Sequence, residues 1–359
     1  MEAGPYIRST NSIERIRVLR LLALLPVLIA ATGNTGYQYL LALADDGGKG
    51  ADGWLERFLL VDKIDFASPG LLDVIVSGLI HLLPVFAMAL FSAGVWERIF
   101  SEKRNRRFDV GVVYTALLFT LLMPPGATFF HIAFGISFAM VFAHGIFGGE
   151  GKSFLNPALV AVAVVQISFP SALTNHPLWT GLNGYAGTKN LALYDQQISD
   201  GTVWSEFEWW DAFFGTTQGL MGTTSVLAVL AGAAVLIYGH IASWRLLVGQ
   251  LFGVIVVATI ANKMGGGILD MPWYWHLVMG SFAFAAVFIA TDPSTSSSTN
   301  TGRWVQGFLT GALVVFIRVV NPSHPDSVIP VLLLVSMLVP LIDHIVVWFN
   351  IRWRDLRHG

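Results

Sequence analysis

The sequence predicts an all-α membrane protein that crosses the bilayer about ten times. Of its 359 residues, 54% are hydrophobic and only 12% are charged, whereas soluble domains carry about 25% charged residues. Runs of roughly 20 mostly apolar residues, the length that crosses a hydrocarbon core, recur along the whole chain. The short alternating segments of a β-barrel are absent from the sequence. These observations disfavour a soluble enzyme and a disordered protein, and the net charge of −2 offers no basic footprint for nucleic acid.

Apolar segments run along the whole chain and predict a single membrane domain over residues 1–359. We expect five helices in 1–172, an extracytoplasmic loop over 173–221, and five helices in 222–359. Two segments, Val74 to Val95 and His131 to Phe147, contain no Asp, Glu, Lys or Arg. The ten predicted spans are 18–43, 71–96, 109–125, 128–147, 154–172, 222–243, 245–262, 272–291, 303–321 and 327–349.

Basic residues predict the orientation of these spans. Arg15, Arg17 and Arg20 lead into a first span that is too long for the apolar core of a signal peptide. If the N-terminus is inside, the inner segments hold 15 of the 21 Lys and Arg residues, in agreement with the positive-inside rule. We therefore expect both termini in the cytoplasm.

The chain contains no cysteine. Disulfides, thiolate zinc sites and cysteine-ligated iron–sulfur clusters are therefore excluded within it. A redox metal cluster would have to be in a partner protein.

The loop over 173–221 is rich in tryptophan, with Trp179, Trp204, Trp209 and Trp210. Such a loop can lie at the level of the lipid headgroups. A connection of this length can also be a lid or carry a cofactor. The sequence leaves both interpretations open.

A glycine-rich run leads into the fifth predicted span. It begins at Gly148 and Gly149 and ends at Asn156-Pro157. A helix that starts there would present unpaired N–H groups and the positive end of its dipole, which favour a phosphate, a carboxylate or the electron-rich edge of a flavin. A tight turn with proline in the first helical turn explains the same pattern.

Ionisable residues inside predicted spans are few, and each is a functional candidate because its burial in lipid is costly. Asp343 in the tenth span either lies on an ion path or hydrogen-bonds a neighbouring helix. His131 and His144 lie thirteen residues apart on one predicted helix, but no matching pair supports haem ligation. The other candidates are His81, His344, Asp73, Glu97 and, at a membrane boundary, Asp292.

Several motifs in a fixed order give the chain its resemblance to a known family. They are Asn34-Thr35-Gly36-Tyr37-Gln38, Gly94-Val95-Trp96-Glu97, the run from Phe147 to Leu159, Gly222-Thr223-Thr224-Ser225, Ala290-Thr291-Asp292-Pro293, the run from Ile317 to Pro322, and Leu341-Ile342-Asp343-His344. With these motifs the chain resembles the B subunits of sodium-translocating NADH:quinone oxidoreductases. It is more distantly similar to the D subunits of Rnf complexes.

This resemblance implies ten helices in two inverted halves within a multi-subunit complex of the bacterial cytoplasmic membrane. That complex passes electrons from NADH to quinone and exports sodium, or protons. The resemblance implies bound riboflavin near Asn156, with Gly148 and Gly149 beside it, and covalently attached FMN. It places Gly94 and Glu97 in the quinone region.

The FMN attachment motif departs from the family pattern. The family esterifies the threonine of Ser-Gly-Ala-Thr, whereas this chain reads Ala186-Gly187-Thr188-Lys189. A lysine amine cannot form that phosphate ester, so either Thr188 is the acceptor or covalent flavin has been lost. We expect Thr188 to carry FMN and Thr224 to cap a helix. The alternative functions are an Rnf-type subunit without covalent flavin and a permease or channel without redox work, whose midplane site broken helices could also build.

Overall fold

A computed structural model describes residues 12–45, 70–149, 151–170, 208–265, 271–320 and 327–358. Within these ranges all regular secondary structure is helical. The helices are α1 Ile13–Asp45, α2 Leu71–Lys103, α3 Gly111–Leu121, α4 Phe129–Ala139, α5 Pro157–Ser168, α6 Trp209–Phe214, α7 Val226–Tyr238, α8 Trp244–Met264, α9 Trp273–Val278, α10 Phe282–Phe288, α11 Asn300–Val320 and α12 Val328–His358. A π-helical segment, Met140–Gly145, continues α4.

Five helices are long and apolar enough to cross a membrane, namely α1, α2, α8, α11 and α12. The remaining apolar helices of 10–17 residues are α3, α4 with its π-helical extension, α5 and α7. Each of the ten predicted segments contains helix, but the shorter helices do not by themselves span about 30 Å of hydrocarbon. The all-α membrane architecture is thus confirmed, while the count of ten crossings and the cytoplasmic termini stay predictions.

The predicted span 272–291 is broken in the middle. Helix α9 ends where Met279 is extended and Gly280 has a φ of +69°, and α10 follows after Ser281. Arg318, on α11, is only 1% exposed. Its guanidinium donates to the carbonyl oxygens of His276 (2.9 Å) and Met279 (2.8 Å). These carbonyls carry the negative end of the α9 dipole, which a buried cation stabilises.

Small residues let two helices approach until their backbones touch. Helices α8 and α11 meet at Gly249 and Gly253 on one side and Gly307 and Gly311 on the other. A Cβ at Gly311 would lie 2.0 Å from the backbone oxygen of Gln250. This spacing of glycines is the small-residue packing that membrane helices use when lipid removes the hydrophobic drive for association.

Irregular backbone between helices is satisfied inside the protein. Gly222 N–H donates to Leu121 O (2.7 Å) and Met221 N–H to Met123 O (3.2 Å), which joins the segment before α7 to the end of α3. Two side-chain amides of α1 bind the same segment: Asn34 donates to Thr217 O and Gln38 donates to Thr216 O. Non-helical backbone in a membrane requires such internal partners.

The predicted cap of the helix after residue 222 was wrong by one residue. Ser225, not Thr224, is the N-cap of α7, and its hydroxyl accepts from Ala228 N–H at 3.3 Å. Thr224 is buried, and its Oγ1 has no hydrogen-bond partner among the described residues. The helix begins one residue later than expected because Ser225 supplies the same capping chemistry there.

Candidate functional site

Asn156 joins the start of α5 to the end of the broken span. Its Oδ1 accepts from the N–H groups of Ala158 (3.0 Å) and Leu159 (3.4 Å), so it caps α5, with Pro157 at the first helical position. Its Nδ2 donates to Asp292 Oδ2 at 3.0 Å. The other carboxylate oxygen of Asp292 accepts from Arg20 (2.8 Å) and from Ser294. One asparagine therefore links α5 to a buried ion pair with α1.

A second buried carboxylate, Glu97 at the end of α2, has no exposed surface. Arg106 Nη2 donates to both its oxygens, at 3.1 and 3.2 Å. His144 Nε2 lies 3.2 Å from Oε2, and Asp109 N–H donates to Oε1 at 3.3 Å. A buried carboxylate needs such an arrangement, because removing an ion from water costs several kcal/mol without a partner.

The glycine run folds against Arg106. Gly148 and Gly149 have φ angles of +110° and +100°, and Arg106 Nη1 donates to Gly148 O at 2.6 Å. A Cβ at Gly149 would lie 1.9 Å from that same nitrogen. Both the left-handed backbone and the close guanidinium therefore require glycine at this position.

These elements surround an open cavity of about 580 Å³, here called the basic cavity. Arg17, at its wall, pairs with Asp109 at 2.6 Å. The lining residues are Ile13, Ile16, Arg17, Arg20, Arg106, Arg107, Phe108, Asp109, Gly148, Gly151, Lys152, Pro293 and Ser294. The volume lies in the range of small-molecule sites, and the five basic side chains favour an electron-rich or anionic guest.

The structure brings some of the predicted site residues together. Gly148 lines the basic cavity, Gly149 contacts Arg106, and Asn156 lies buried behind the wall, bonded to Asp292. Sequence reasoning did not assign Arg17, Arg20 and Arg106 to a site, because it used them only as orientation signals. The clue that could have found them was their recurrence at the ends of several predicted spans.

Gly94 and Glu97, predicted for the quinone region, have different surroundings. Glu97 faces the ion-pair network just described. Gly94 is half-buried, and a Cβ there would meet nothing within 4 Å. Within one turn of α2, Glu97 is therefore a buried, ion-paired carboxylate, whereas the backbone at Gly94 is not covered by neighbouring atoms.

Asp343 on α12 accepts hydrogen bonds from the segment that leads into α11. Its oxygens accept from Ser298 N–H (2.9 Å), Thr299 N–H (3.2 Å) and Thr299 Oγ1 (2.7 Å), as well as from the hydroxyls of Ser297 and Ser298. These donors lie in the non-helical segment before α11, whereas the predicted alternative was a hydrogen bond to a neighbouring helix. The ion-path role stays a prediction.

Three of the histidines in the predicted spans lie close to polar groups of the protein, although His144 Nε2 makes no hydrogen bond with the described residues. His81 Nδ1 lies 2.9 Å from Ser77 O, His131 Nδ1 lies 2.7 Å from Thr128 Oγ1, and His144 faces Glu97. Among the described residues, no group of three or more His, Asp or Glu side chains could hold a metal ion. Thr188, predicted to carry FMN, lies outside the described residues.

Comparison with known proteins gives one consistent result. The sequence model of the NQR2, RnfD, RnfE family matches residues 1–352. The B subunit of the Na(+)-translocating NADH-quinone reductase of Stutzerimonas stutzeri (strain A1501) is 39% identical over 359 residues, covering 98% of this chain and 89% of the relative. Its counterpart in Azotobacter vinelandii is 40% identical with the same coverage. The counterpart in Pseudoalteromonas atlantica is 36% identical over 366 residues, covering all of this chain and 90% of the relative.

Proposed function

The chain belongs to the NQR2, RnfD, RnfE family, and from this membership we propose that it is the B-type membrane subunit of a sodium-translocating NADH-quinone reductase. In this role it passes electrons from partner subunits towards quinone, coupled to the export of Na⁺ or H⁺ across the bacterial cytoplasmic membrane. The observation that carries the proposal is the similarity along nearly the whole length of both chains. Activity requires the other subunits of the complex.

We propose that the basic cavity holds the isoalloxazine ring of riboflavin. The fit rests on its volume of about 580 Å³ and on a surplus of donors, since Arg106 Nε is buried without an acceptor among the described residues. When bound, a flavin supplies reversible electron transfer, and the protein tunes its potential through nearby charge and hydrogen bonds. Arg17, Arg20 and Arg106 would stabilise negative charge that reduction places on the ring. Asn156 and Asp292 hold the helix start and the Arg20 side chain that form the wall.

Substitution of Asn156 by alanine tests this site. Asn156→Ala removes the α5 cap and the bond to Asp292, and one lost hydrogen bond of about 1 kcal/mol corresponds to roughly fivefold weaker flavin binding. We expect less non-covalent flavin per purified chain, measured by absorbance after denaturation, with helical circular dichroism retained.

The matched control is Ser336→Ala. It removes a buried hydrogen bond within α12, to Leu332 O, and does not touch the cavity. Equal flavin content in Asn156→Ala and Ser336→Ala would remove Asn156 from the site. A colourless wild-type preparation would favour the permease or channel alternative.

We propose that FMN is attached at Thr188 through a phosphoester. In the sequence Thr188 is flanked by the small Gly187 and the cationic Lys189, and a neighbouring cation favours a negatively charged phosphate diester. Co-expression with the flavin transferase should give a band that fluoresces on a denaturing gel. Thr188→Ala should abolish this fluorescence, whereas Thr202→Ala in the same loop should keep it. A wild-type band without fluorescence, or a fluorescent Thr188→Ala band, would contradict the assignment.

We propose that Gly94 and Glu97 lie in the quinone region and that Asp343 lies on the ion path. The open backbone at Gly94 leaves room beside α2 for a quinone ring, and Glu97, three residues later, is its neighbour on the surface of the same helix. Asp343 is proposed for the ion path at the junction of α11 and α12. We propose ten crossings with both termini in the cytoplasm, which the distribution of basic residues supports.

A further inference from the structure

The basic cavity carries more positive charge than the described residues neutralise. Five basic side chains line it, and three carboxylates face them, Asp109 in the wall and Glu97 and Asp292 behind it. Each carboxylate pairs with one arginine, namely Arg17, Arg20 or Arg106. Two positive charges are therefore left over in the described part of the cavity.

The two unneutralised cations are Arg107 and Lys152. Both side chains are exposed, and neither has an ion pair with any residue that the structure describes. Arg107 follows α2, whereas Lys152 belongs to the glycine run before α5. Two chain segments far apart in sequence thus place free cations at the mouth of one cavity.

Apolar side chains lie beside these cations. Ile13 on α1 is 66% exposed and Phe108 is 44% exposed, and both line the cavity with Ile16. These apolar walls would add nothing to the binding of a small hydrophilic anion, whose phosphate group alone would contact the two cations. A phosphate attached to an apolar or aromatic body satisfies both parts of the surface.

We propose that Arg107 and Lys152 form a phosphate-binding site at the mouth of the basic cavity. The ligand chemistry is a phosphate ester or free phosphate held by charge-assisted hydrogen bonds, with arginine able to bind two oxygens at once. Basic pockets between membrane helices on the cytoplasmic side bind anionic lipid headgroups by this chemistry. Among the described residues, neither Arg107 nor Lys152 hydrogen-bonds Asn156 or Asp292, the residues proposed to support the flavin site. The phosphate site is therefore separate from them and can be tested without flavin.

The test uses the purified full-length chain and native mass spectrometry with phosphatidylglycerol, phosphatidylcholine and inorganic phosphate as separate probes. The test variant is Arg107→Gln/Lys152→Gln. The control is Arg98→Gln/Lys103→Gln, which removes the same charge from the exposed face of α2, where Arg98 pairs with Glu102. Flavin content and thermal unfolding are measured on all three proteins.

We expect phosphatidylglycerol to bind the wild type and the control, and to bind the test variant about thirtyfold more weakly, the loss expected for two basic residues near a membrane surface. If inorganic phosphate alone shows this difference, the phosphate is free and not part of a lipid. If no probe distinguishes the test variant from the control, the proposal is wrong. Loss of flavin from wild type and variants alike would count against the proposed function and not against this site.

Discussion

At the scale of single residues, buried charge organises the region where α2 ends and α5 begins. The Glu97 carboxylate is fully buried and accepts hydrogen bonds from Arg106 and from the Asp109 N–H, with His144 Nε2 3.2 Å away. The Arg98–Glu102 pair lies only one turn away on the same helix, but its side chains are 68% and 62% exposed. The two pairs have similar chemistry and should differ in energy because water screens only the second.

Removing the arginine from each pair measures this difference. Arg106→Gln leaves Glu97 buried without its main partner and should lower the free energy of unfolding by about 3–5 kcal/mol. Arg98→Gln should change it by no more than about 0.5 kcal/mol. The measurement is denaturant unfolding of the purified chain in detergent micelles.

A second substitution separates lost charge balance from lost packing. Glu97→Gln in the Arg106→Gln background removes the uncompensated charge and should restore part of the stability. Equal losses for Arg106→Gln and Arg98→Gln would contradict the burial argument.

At the scale of helices, backbone proximity decides which elements pair. The α8–α11 interface depends on glycines, because the two backbones lie too close together for a side chain between them. A Cβ at Gly311, for example, would lie 2.0 Å from the Gln250 carbonyl oxygen. The broken span α9–α10 depends on Arg318, which binds the carbonyls that the break leaves without helical partners. Both features bring chain segments together that lie tens of residues apart.

Alanine at two helical glycines tests the α8–α11 interface. Gly311→Ala forces a Cβ against the Gln250 carbonyl, and overpacking of this kind costs about 1–3 kcal/mol. Gly33→Ala in α1 meets nothing within 4 Å and should stabilise its helix by up to about 1 kcal/mol. Thermal unfolding in detergent should therefore shift in opposite directions. A shift in the same direction for both variants would mean that helix propensity, and not the close contact, governs Gly311.

At the scale of the whole molecule, the topology is open to direct measurement because the chain has no cysteine. Single cysteines at Ser12, in the 173–221 loop at Ser199, and at Leu356 would each report one side of the membrane. An impermeant maleimide should label Ser199→Cys in intact cells, and the two terminal variants only after permeabilisation. Labelling of Leu356→Cys but not Ser12→Cys in intact cells would mean an odd number of crossings.

Hydrophobicity along the chain predicted an all-helical membrane protein, and each of the ten predicted segments contains helix, although 272–291 is broken into two short helices. Its signal is local, because a run of about 20 apolar residues must be buried whatever its neighbours are. A second local signal located the start of α5, because the capping Asn156 and the helix-starting Pro157 are adjacent in sequence. The motifs were also sufficient to identify the family.

Only the tertiary structure decided which charges meet and where spans break. Arg20 and Asp292 are 272 residues apart in sequence but 2.8 Å apart in space, and no local pattern encodes that contact. Helix α7 is capped by Ser225 and not by Thr224 because two neighbouring residues offer the same capping chemistry, and the hydrogen bonds of the folded segment select between them. The basic cavity follows from the same cause. Its cations come from α1, from the loop after α2 and from the glycine run before α5, and packing alone brings these segments to one place.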